Sequence, residues 1–412
     1  MRNHFYAYID PGTGAMLFSV IIGVVSAVFF FFQKILLGIK FLLSGGRVDN
    51  AYKDRHAFVI FAESKRYALM FKPICDEFEK RKINCEYYTS SMDDPMLDEQ
   101  YEYVHPQFIG EGNKAYAKLN VMNADICLTT TPGLDVYQWK RSKNVKWYVH
   151  TLHEVGGVAE YRMFGIDYFD AILLSGEFQK EPVRQLEKLR GINEKELVVT
   201  GAVFMDSLSQ RVAKLGINNS DLSETTILVA PSWGESSILN RYGQRLLDEL
   251  VKTGYKIIIR PHPQSEIAEP ELLKKLRERY PDSDIISWDR DSDNMKSLSK
   301  ASLLITDFSG IIFDYAMIFN RPVLYATADF DSSPYDSAWI DEPMWRYKVL
   351  PQIGRELIED EFFDIKSIID DMLSDDSAAD TRQEICKEAW MYKGEAAVRI
   401  VDYLVKKQEE LV

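Results

Sequence analysis

The sequence predicts an α/β protein with two tandem Rossmann-like, doubly wound domains that follow an N-terminal transmembrane helix. The first observation behind this prediction is an uncharged apolar run at residues 15–32. The second is that, from residue 57 onward, short runs rich in β-branched and aromatic residues alternate with helical stretches. Such alternation is typical of a parallel sheet covered on both faces. The third is a polar stretch at 216–224 that divides the alternation into two series.

These breaks predict three parts of the chain. They are an N-terminal membrane anchor at 1–46, a first Rossmann-like domain at 55–215 and a second at 225–405. A length of 412 residues fits two such domains, since a typical domain has about 100–200 residues.

The apolar run at 15–32 predicts a helix that spans a membrane once, because about 17 apolar residues are the minimum for crossing a bilayer. Positive charges outside the run predict its orientation. Only Arg2 precedes the run, and the basic residues that follow it are Lys34, Lys40, Arg47, Lys53 and Arg55. A cleaved signal peptide is the alternative, which the single arginine before the run does not favour. We therefore expect a cell-membrane protein, with its N-terminus outside, its catalytic part cytoplasmic and the lipid bilayer as a partner.

The overall charge argues against a nucleic-acid partner. The chain has 49 Lys and Arg residues against 63 Asp and Glu residues, a formal net charge of −14, whereas nucleic-acid binding needs a basic face.

The cysteines show none of the close spacings found in zinc sites or disulfide frameworks. They are Cys75, Cys85, Cys127 and Cys386. We expect all four to be reduced thiols.

Apolar runs predict the strands of both series. In the first series they lie at 57–62, 84–88, 124–129, 145–149, 171–174 and 197–201, with a clear helix at 177–189. In the second series they lie at 226–230, 255–259, 284–287, 302–306 and 322–325, with helices at 240–252 and 269–280. Two doubly wound domains with a cleft between them form a GT-B-like architecture.

The segment 303–325 carries the strongest functional signal, because an apolar strand runs through Asp307-Phe-Ser-Gly310 directly into a helix. A helix that begins at Gly310 or Ile311 directs unpaired backbone N–H groups and the positive end of its dipole beyond the strand. Phosphate groups bind at such helix N-termini. Ser309 is placed to cap the helix or to donate a hydrogen bond to the anion.

A second strand, at 257–259, leads into Arg260 and His262. The ends of both strands are expected at the carboxyl rim of one sheet, where α/β proteins bind ligands. Pro261 and Pro263 flank His262 and restrict its backbone, which favours a functional role over a structural turn.

Two further histidines come at or shortly after the end of the predicted strand at 145–149. His153 comes after the strand and before two glycines that allow a tight turn. Histidine takes a proton from a hydroxyl near neutral pH, so His153 is a candidate functional residue. His150 comes at the end of the strand, and we interpret it as structural. The spacing of these two histidines could suggest a metal site, but no third ligand follows at a typical spacing, and we predict none.

Three motifs resemble those of the CDP-glycerol glycerophosphotransferases of teichoic acid synthesis. They are VHTLH at 149–153, RPHP at 260–263, and TDFSGIIFDYA at 306–316 followed by RPV at 321–323. In that family, a Trp-His-Gly-Thr-Pro motif carries the first essential histidine, a Lys/Arg-Pro-His-Pro motif carries the second, and an Asp-Tyr-Ser-Ser motif forms the phosphate site. The resemblance extends over about residues 120–330. Two positions depart from it: Glu154 follows His153 where the family has glycine, and Gly310 replaces the second serine.

The resemblance implies that an acceptor hydroxyl attacks the β-phosphorus of a CDP-activated donor, with CDP-glycerol as the donor substrate and no cofactor. It implies that His153 is the general base and that His262 stabilises the diphosphate. The positions that it implies for donor phosphate or nucleotide binding are Arg260, Ser309, Gly310, Asp307, Asp314 and Ser232. The two aspartates would orient a histidine or bind a donor hydroxyl, or else cap a helix and lie on an exposed face. The acceptor would be lipid-linked or polymeric.

Other classes of function stay open at this point. A GT-B glycosyltransferase or a sugar-nucleotide epimerase that uses a UDP-sugar shares the tandem architecture. A non-catalytic, membrane-anchored nucleotide-binding protein is a further alternative. The sequence does not identify the polyol, the acceptor or the oligomeric state.

Overall fold

The structure is a computed structural model that describes residues 55–216, 224–291, 294–326 and 332–412. Arg55–Val412 form one compact unit. The predicted anchor at 1–46 lies outside the described residues, as does most of the predicted linker at 216–224. The described part is an α/β fold with two parallel sheets, as the alternating pattern predicted.

The first sheet has seven parallel strands. They are β1 His56–Ala62, β2 Cys85–Thr89, β3 Val104–Phe108, β4 Ala124–Thr129, β5 Val145–Thr151, β6 Ala171–Leu174 and β7 Glu196–Val199. Their order is β3-β2-β1-β4-β5-β6-β7. The edge strand β3 was not predicted from the sequence. It contains Pro106, which lacks a backbone N–H and is tolerated at a sheet edge.

The second sheet has six parallel strands. They are β8 Thr226–Val229, β9 Lys256–Ile259, β10 Ile286–Trp288, β11 Leu303–Thr306, β12 Val323–Tyr325 and β13 Arg355–Glu356. Their order is β10-β9-β8-β11-β12-β13. Because β8 pairs with both β9 and β11, the residues that follow these three strands share one edge of the sheet.

Thirteen α-helices cover the sheets in the described residues. In the first half they are α1 Ala68–Lys80, α2 Asn113–Leu119, α3 Lys180–Arg190 and α4 Val203–Lys214. The next five are α5 Ile238–Lys252, α6 Ser265–Ala268, α7 Pro270–Arg279, α8 Met295–Lys300 and α9 Ile311–Phe319. The last four are α10 Trp345–Ile353, α11 Ile365–Ser374, α12 Ala379–Ala389 and α13 Ala396–Leu411.

The last helix, α13, packs on α1 rather than on the second sheet. Ile400, Val401 and Leu404 of α13 are buried in the core that also contains Phe71 and Phe78 of α1. The predicted second domain, at 225–405, includes most of this helix. The chain therefore returns to the first sheet after completing the second.

The localisation predicted from the sequence requires correction. Among the residues that the structure describes, no helix has the length and apolar character needed to cross a membrane. This finding contradicts the single-pass arrangement with an external N-terminus and a cytoplasmic catalytic part, and we withdraw it. The run at 15–32, on which that prediction rested, lies outside the described residues.

Candidate active site

A cleft with a volume of about 800 Å³ lies between the carboxyl edges of the two sheets. This volume falls within the range of about 300–1,000 Å³ that is common for small-molecule sites. His153 and Glu154 line it from the first half, and Arg260, His262 and Ser309 line it from the second. Leu69, Phe204 and Leu208 contribute apolar surface. The motifs that lie far apart in the sequence thus meet in one cleft.

His153 lies two residues beyond β5, so the sheet fixes its position at the rim. Its Nδ1 is 3.0 Å from Oγ1 of Thr130, and its ring lies between Tyr67 and Tyr161, with centroid distances of 5.2 and 6.0 Å. Burial lowers the pKa of His153, and the charge of Arg66 lowers it further, although Glu154 opposes them. A neutral ring with its proton on Nδ1, directed at Thr130, has a lone pair on Nε2 and accepts a proton there.

His262 follows β9, and its ring proton is on the other nitrogen than in His153. The backbone N–H of Gln264 donates to Nδ1 of His262 over 3.1 Å. In the neutral ring, the proton therefore sits on Nε2, which becomes a hydrogen-bond donor. Burial and then the charge of Arg66 lower the pKa of His262, against a smaller opposing effect of Glu269. The two histidines are thus suited to complementary roles, one as acceptor and one as donor.

Arg260 lines the cleft, but its guanidinium is already engaged. It donates a hydrogen bond to the carboxylate of Asp289, which also accepts one from the hydroxyl of Ser297. Arg260 is buried, so this ion pair fixes its position. Any anion in the cleft would meet an arginine whose charge is partly balanced.

The predicted phosphate loop lies where β11 ends and α9 begins. Ser309 and Gly310 line the cleft, and Gly310 occupies the N-cap position of α9 without a side-chain cap. Ile312 and Phe313 donate their N–H groups to the carbonyls of Ser309 and Gly310. Within the described residues, the N–H groups of Gly310 and Ile311 have no hydrogen-bond acceptor. They are therefore free to bind an anion.

Asp307 does not line the cleft and holds the backbone instead. Its carboxylate accepts hydrogen bonds from the N–H groups of Ser232 at 2.9 Å, Ser309 at 3.2 Å and Ile238 at 3.0 Å. Burial raises the pKa of Asp307, and these bonds counteract that effect. Ser232 is likewise buried beside Asp307 and is not a lining residue, although Pro231 is. The structure therefore gives Asp307 and Ser232 a supporting position behind the phosphate loop.

Asp314 differs from Asp307, because its side chain lines the cleft. It lies in the first turn of α9, near Glu154. Burial, and then the negative charge of Glu154, raise the pKa of Asp314 to about 7. Two carboxyl groups therefore lie in the cleft close to the predicted anion site.

Three charged residues near the cleft carry no motif that would identify them in the sequence. Glu154 and Arg211 line the cleft. Arg66, on the 3₁₀ turn Lys65–Tyr67, is near enough to lower the pKa of both His153 and His262. Only the fold brings residues 66 and 211 together with the histidines. For Glu154, its position next to His153 was an available signal.

Arg346 of α10 connects the phosphate loop to the first half of the chain. Its guanidinium donates to the carbonyl of Phe308 and to the carboxylate of Glu160. Glu160 in turn accepts a hydrogen bond from the N–H of Gly157 over 3.0 Å. This chain of contacts fixes the loop relative to the turn that follows His153.

His150, interpreted as structural from the sequence, does not line the cleft. His150 is buried in β5, with Nε2 3.0 Å from the hydroxyl of Tyr161, and burial lowers its pKa to about 3. In the described ranges, no group of three or more His, Cys, Asp or Glu side chains is arranged to hold a metal ion.

Comparison with known proteins identifies a family. Residues 174–406 match the family described as CDP-glycerol:poly(glycerophosphate) glycerophosphotransferase. This match covers more than half of the chain and includes His262 and the phosphate loop. A comparison with individual curated proteins finds no match.

Solved structures share the fold. The wall teichoic acid polymerase TagF is 16% identical, with a TM-score of 0.53 over 86% of this chain and 89% of that one. TagF has also been solved after a soak with CDPG. A putative UDP-N-acetylglucosamine 2-epimerase from Listeria monocytogenes is 17% identical, with a TM-score of 0.55 over 87% of this chain and 98% of that one. The UDP-GlcNAc 2-epimerase from Neisseria meningitidis is 14% identical, with a TM-score of 0.52 over 86% and 100%. Because these TM-scores are similar, the fold alone does not separate the two activities.

Proposed function

Because this chain belongs to the CDP-glycerol:poly(glycerophosphate) glycerophosphotransferase family, we propose that it transfers glycerol phosphate from CDP-glycerol to a hydroxyl of a lipid-linked or polymeric cell-envelope acceptor, with release of CMP. The chain is thus a transferase of the CDP-glycerol glycerophosphotransferase type. The donor is a substrate, and the proposed reaction uses no cofactor.

The observation that carries the proposal is the meeting of His153, His262 and the N-terminus of α9 in one cleft. Transfer of a phosphoryl group needs a base for the attacking hydroxyl and positive groups around the phosphoryl oxygens. The first histidine has an accepting Nε2 in the tautomer described above, and the second has a donating Nε2–H. The free N–H groups at the helix N-terminus supply further donors.

In the proposed reaction, the acceptor oxygen forms a bond to the β-phosphorus of CDP-glycerol. The bond between that phosphorus and the oxygen shared with CMP breaks, and CMP leaves with the bonding electrons. The proton of the attacking hydroxyl moves to Nε2 of His153. His262 and the N–H groups of Gly310 and Ile311 donate hydrogen bonds to the phosphoryl oxygens, where negative charge increases in the transition state. Arg260 contributes positive charge from the same edge of the sheet.

The carboxyl groups have separate roles in this proposal. Asp307 holds the phosphate loop through the backbone and does not contact the donor. Asp314 faces the cleft, where a carboxyl group whose pKa is raised to about 7 forms hydrogen bonds with hydroxyl groups. We therefore assign Asp314 to a hydroxyl of a substrate.

CMP release from the full-length protein tests the proposal. Wild-type enzyme, His153→Ala and His262→Ala are incubated with CDP-glycerol and either a glycerol phosphate oligomer or a lipid-linked sugar. We expect CMP from the wild type and at least about 100-fold slower release from both variants, since general acid–base catalysis contributes about 10²–10⁴-fold. Lys274→Ala, an exposed change on α7, is the matched control.

Two results would reject the proposal. One is release of UDP from a UDP-sugar without any release of CMP from CDP-glycerol, which would favour the glycosyltransferase or epimerase class. The other is full activity of His153→Ala and His262→Ala. Thermal unfolding of each variant separates loss of chemistry from loss of fold.

A further inference from the structure

Glu154 occupies a position between the two parts of the proposed reaction site. It follows His153 directly, and its side chain is 43% exposed in the cleft. A Cβ atom placed on Gly310 would lie 2.9 Å from Oε2 of Glu154. The carboxylate therefore lies against the start of α9, beside the N–H groups that can bind an anion.

The two positions at which this chain departs from the family motifs therefore lie next to each other. Where the motifs have glycine after the first histidine and a second serine in the phosphate loop, this chain has Glu154 and Gly310. The absent side chain of Gly310 leaves the room that the carboxylate of Glu154 occupies. The two substitutions are therefore complementary in space.

The carboxylate of Glu154 can accept hydrogen bonds, and no donor in the described part of the chain supplies one. Its nearest cation is Arg346, with Nη2 at 4.0 Å from Oε2, and that guanidinium is bound to Glu160 and to the carbonyl of Phe308. Within the described residues, no hydrogen bond reaches the oxygens of Glu154 or of Asp314. A carboxylate accepts hydrogen bonds only, so a ligand that fits this position carries donors.

These requirements favour a hydroxyl-rich group on the side of the two carboxyl groups, whereas the phosphoryl oxygens of the donor take the N–H groups of Gly310 and Ile311. The carboxylate of Glu154 disfavours a phosphate beside it, and both carboxyl groups can form hydrogen bonds with adjacent hydroxyls. Because Glu154 adjoins the proposed base, the hydroxyls nearest to it are those of the acceptor, whose attacking oxygen must approach Nε2 of His153.

We propose that Glu154, with Asp314, binds the hydroxyl next to the attacking hydroxyl of the acceptor and selects a terminal diol, such as the end of a glycerol phosphate chain. This inference rests on the proposed function, because it names the acceptor of that reaction. Gly310 contributes by leaving room for the carboxylate.

The test uses full-length enzyme, CDP-glycerol and two synthetic glycerol phosphate oligomers. One oligomer ends in a diol, and the other lacks the hydroxyl adjacent to the attacking one. For Glu154→Gln we expect a KM for the diol oligomer at least about tenfold higher, as one charged hydrogen bond is lost, and a KM for CDP-glycerol within about twofold of the wild-type value. The wild type should use the diol oligomer at least about tenfold better than its analogue, and Glu154→Gln should lose this preference.

Two further variants make the test specific. Glu278→Gln makes the same charge change on the exposed face of α7 and should alter neither KM. In otherwise wild-type enzyme, Gly310→Ser should raise the KM for the diol oligomer, because the new side chain displaces the carboxylate of Glu154. In a Glu154→Gly background, Gly310→Ser should have no further effect on that KM, since interacting positions give non-additive effects.

The outcomes separate the inference from the proposed function. If wild-type enzyme releases no CMP from CDP-glycerol with any acceptor, the proposed function fails. If it transfers to a lipid-linked sugar but not to the diol oligomer, the acceptor inference is overturned. The inference is also overturned if Glu154→Gln keeps its preference for the diol, or if it raises the KM for CDP-glycerol as much as that for the oligomer.

Discussion

Replacing Asp314 by asparagine should stabilise the folded protein at pH 8 and leave its stability near pH 3 unchanged. Burial and the charge of Glu154 raise the pKa of Asp314 to about 7, from an ordinary value of 3.8. The folded state therefore disfavours ionisation, a cost that is absent below the unfolded pKa and complete above the folded one. A difference of about 3 pH units corresponds to about 4 kcal/mol. Because the side chain keeps some contact with water, we expect a gain of roughly 2 kcal/mol at pH 8.

Urea unfolding of full-length wild type and Asp314→Asn, followed by tryptophan fluorescence at several pH values between 4 and 8, measures this gain. The difference in free energy of unfolding should grow as the pH rises through this range. Asp284→Asn, which removes an exposed carboxylate, is the matched control. An equal difference at pH 4 and pH 8 would refute the reasoning, because it would show that Asp314 ionises as easily in the folded state as in the unfolded state.

Three further predictions concern the surroundings of the cleft. Asp307→Ala should lower the free energy of unfolding by about 3 kcal/mol, because three backbone N–H groups lose a buried acceptor; a loss below about 1 kcal/mol in urea unfolding would contradict its supporting role. Arg346→Met should cost about 3 kcal/mol because Glu160 loses its partner, and Glu160→Gln should recover part of that loss in the double variant; purely additive changes would count against the ion pair. Arg66→Ala should move the acidic limb of kcat/KM to higher pH, because Arg66 lowers the pKa of both active-site histidines; an unshifted limb would show that Arg66 does not act on them.

Much of the fold could be predicted because its parallel strands are short apolar runs, which the sequence displays directly. The strand β3 was missed because polar residues and Pro106 interrupt its pattern, and an edge strand does not require burial on both faces. The two-residue strand β13 is too short to produce any pattern. The return of α13 to the first sheet depends on contacts between distant residues, which local periodicity does not encode.

The candidate site was predictable where a residue immediately follows a strand. His153, His262 and Ser309 follow β5, β9 and β11 closely, so their strands determine where they lie. Asp307 and Asp314 could not be distinguished in this way, because only the packing shows that one faces backbone N–H groups and the other faces the cleft. The roles of these residues in catalysis stay predictions until the variants are assayed.

The path of α13 has a consequence for how the protein is made. Arg81 of the first half bonds to Asp402, 321 positions later in the chain, and residues of α13 complete the apolar core beneath the first sheet. During synthesis, which proceeds from the N-terminus, this core lacks helix α13 until residues 396–411 have left the ribosome. The apolar surface of α1 stays uncovered for that period and is exposed to aggregation or to binding by chaperones. Folding of the first half thus waits for synthesis of the second.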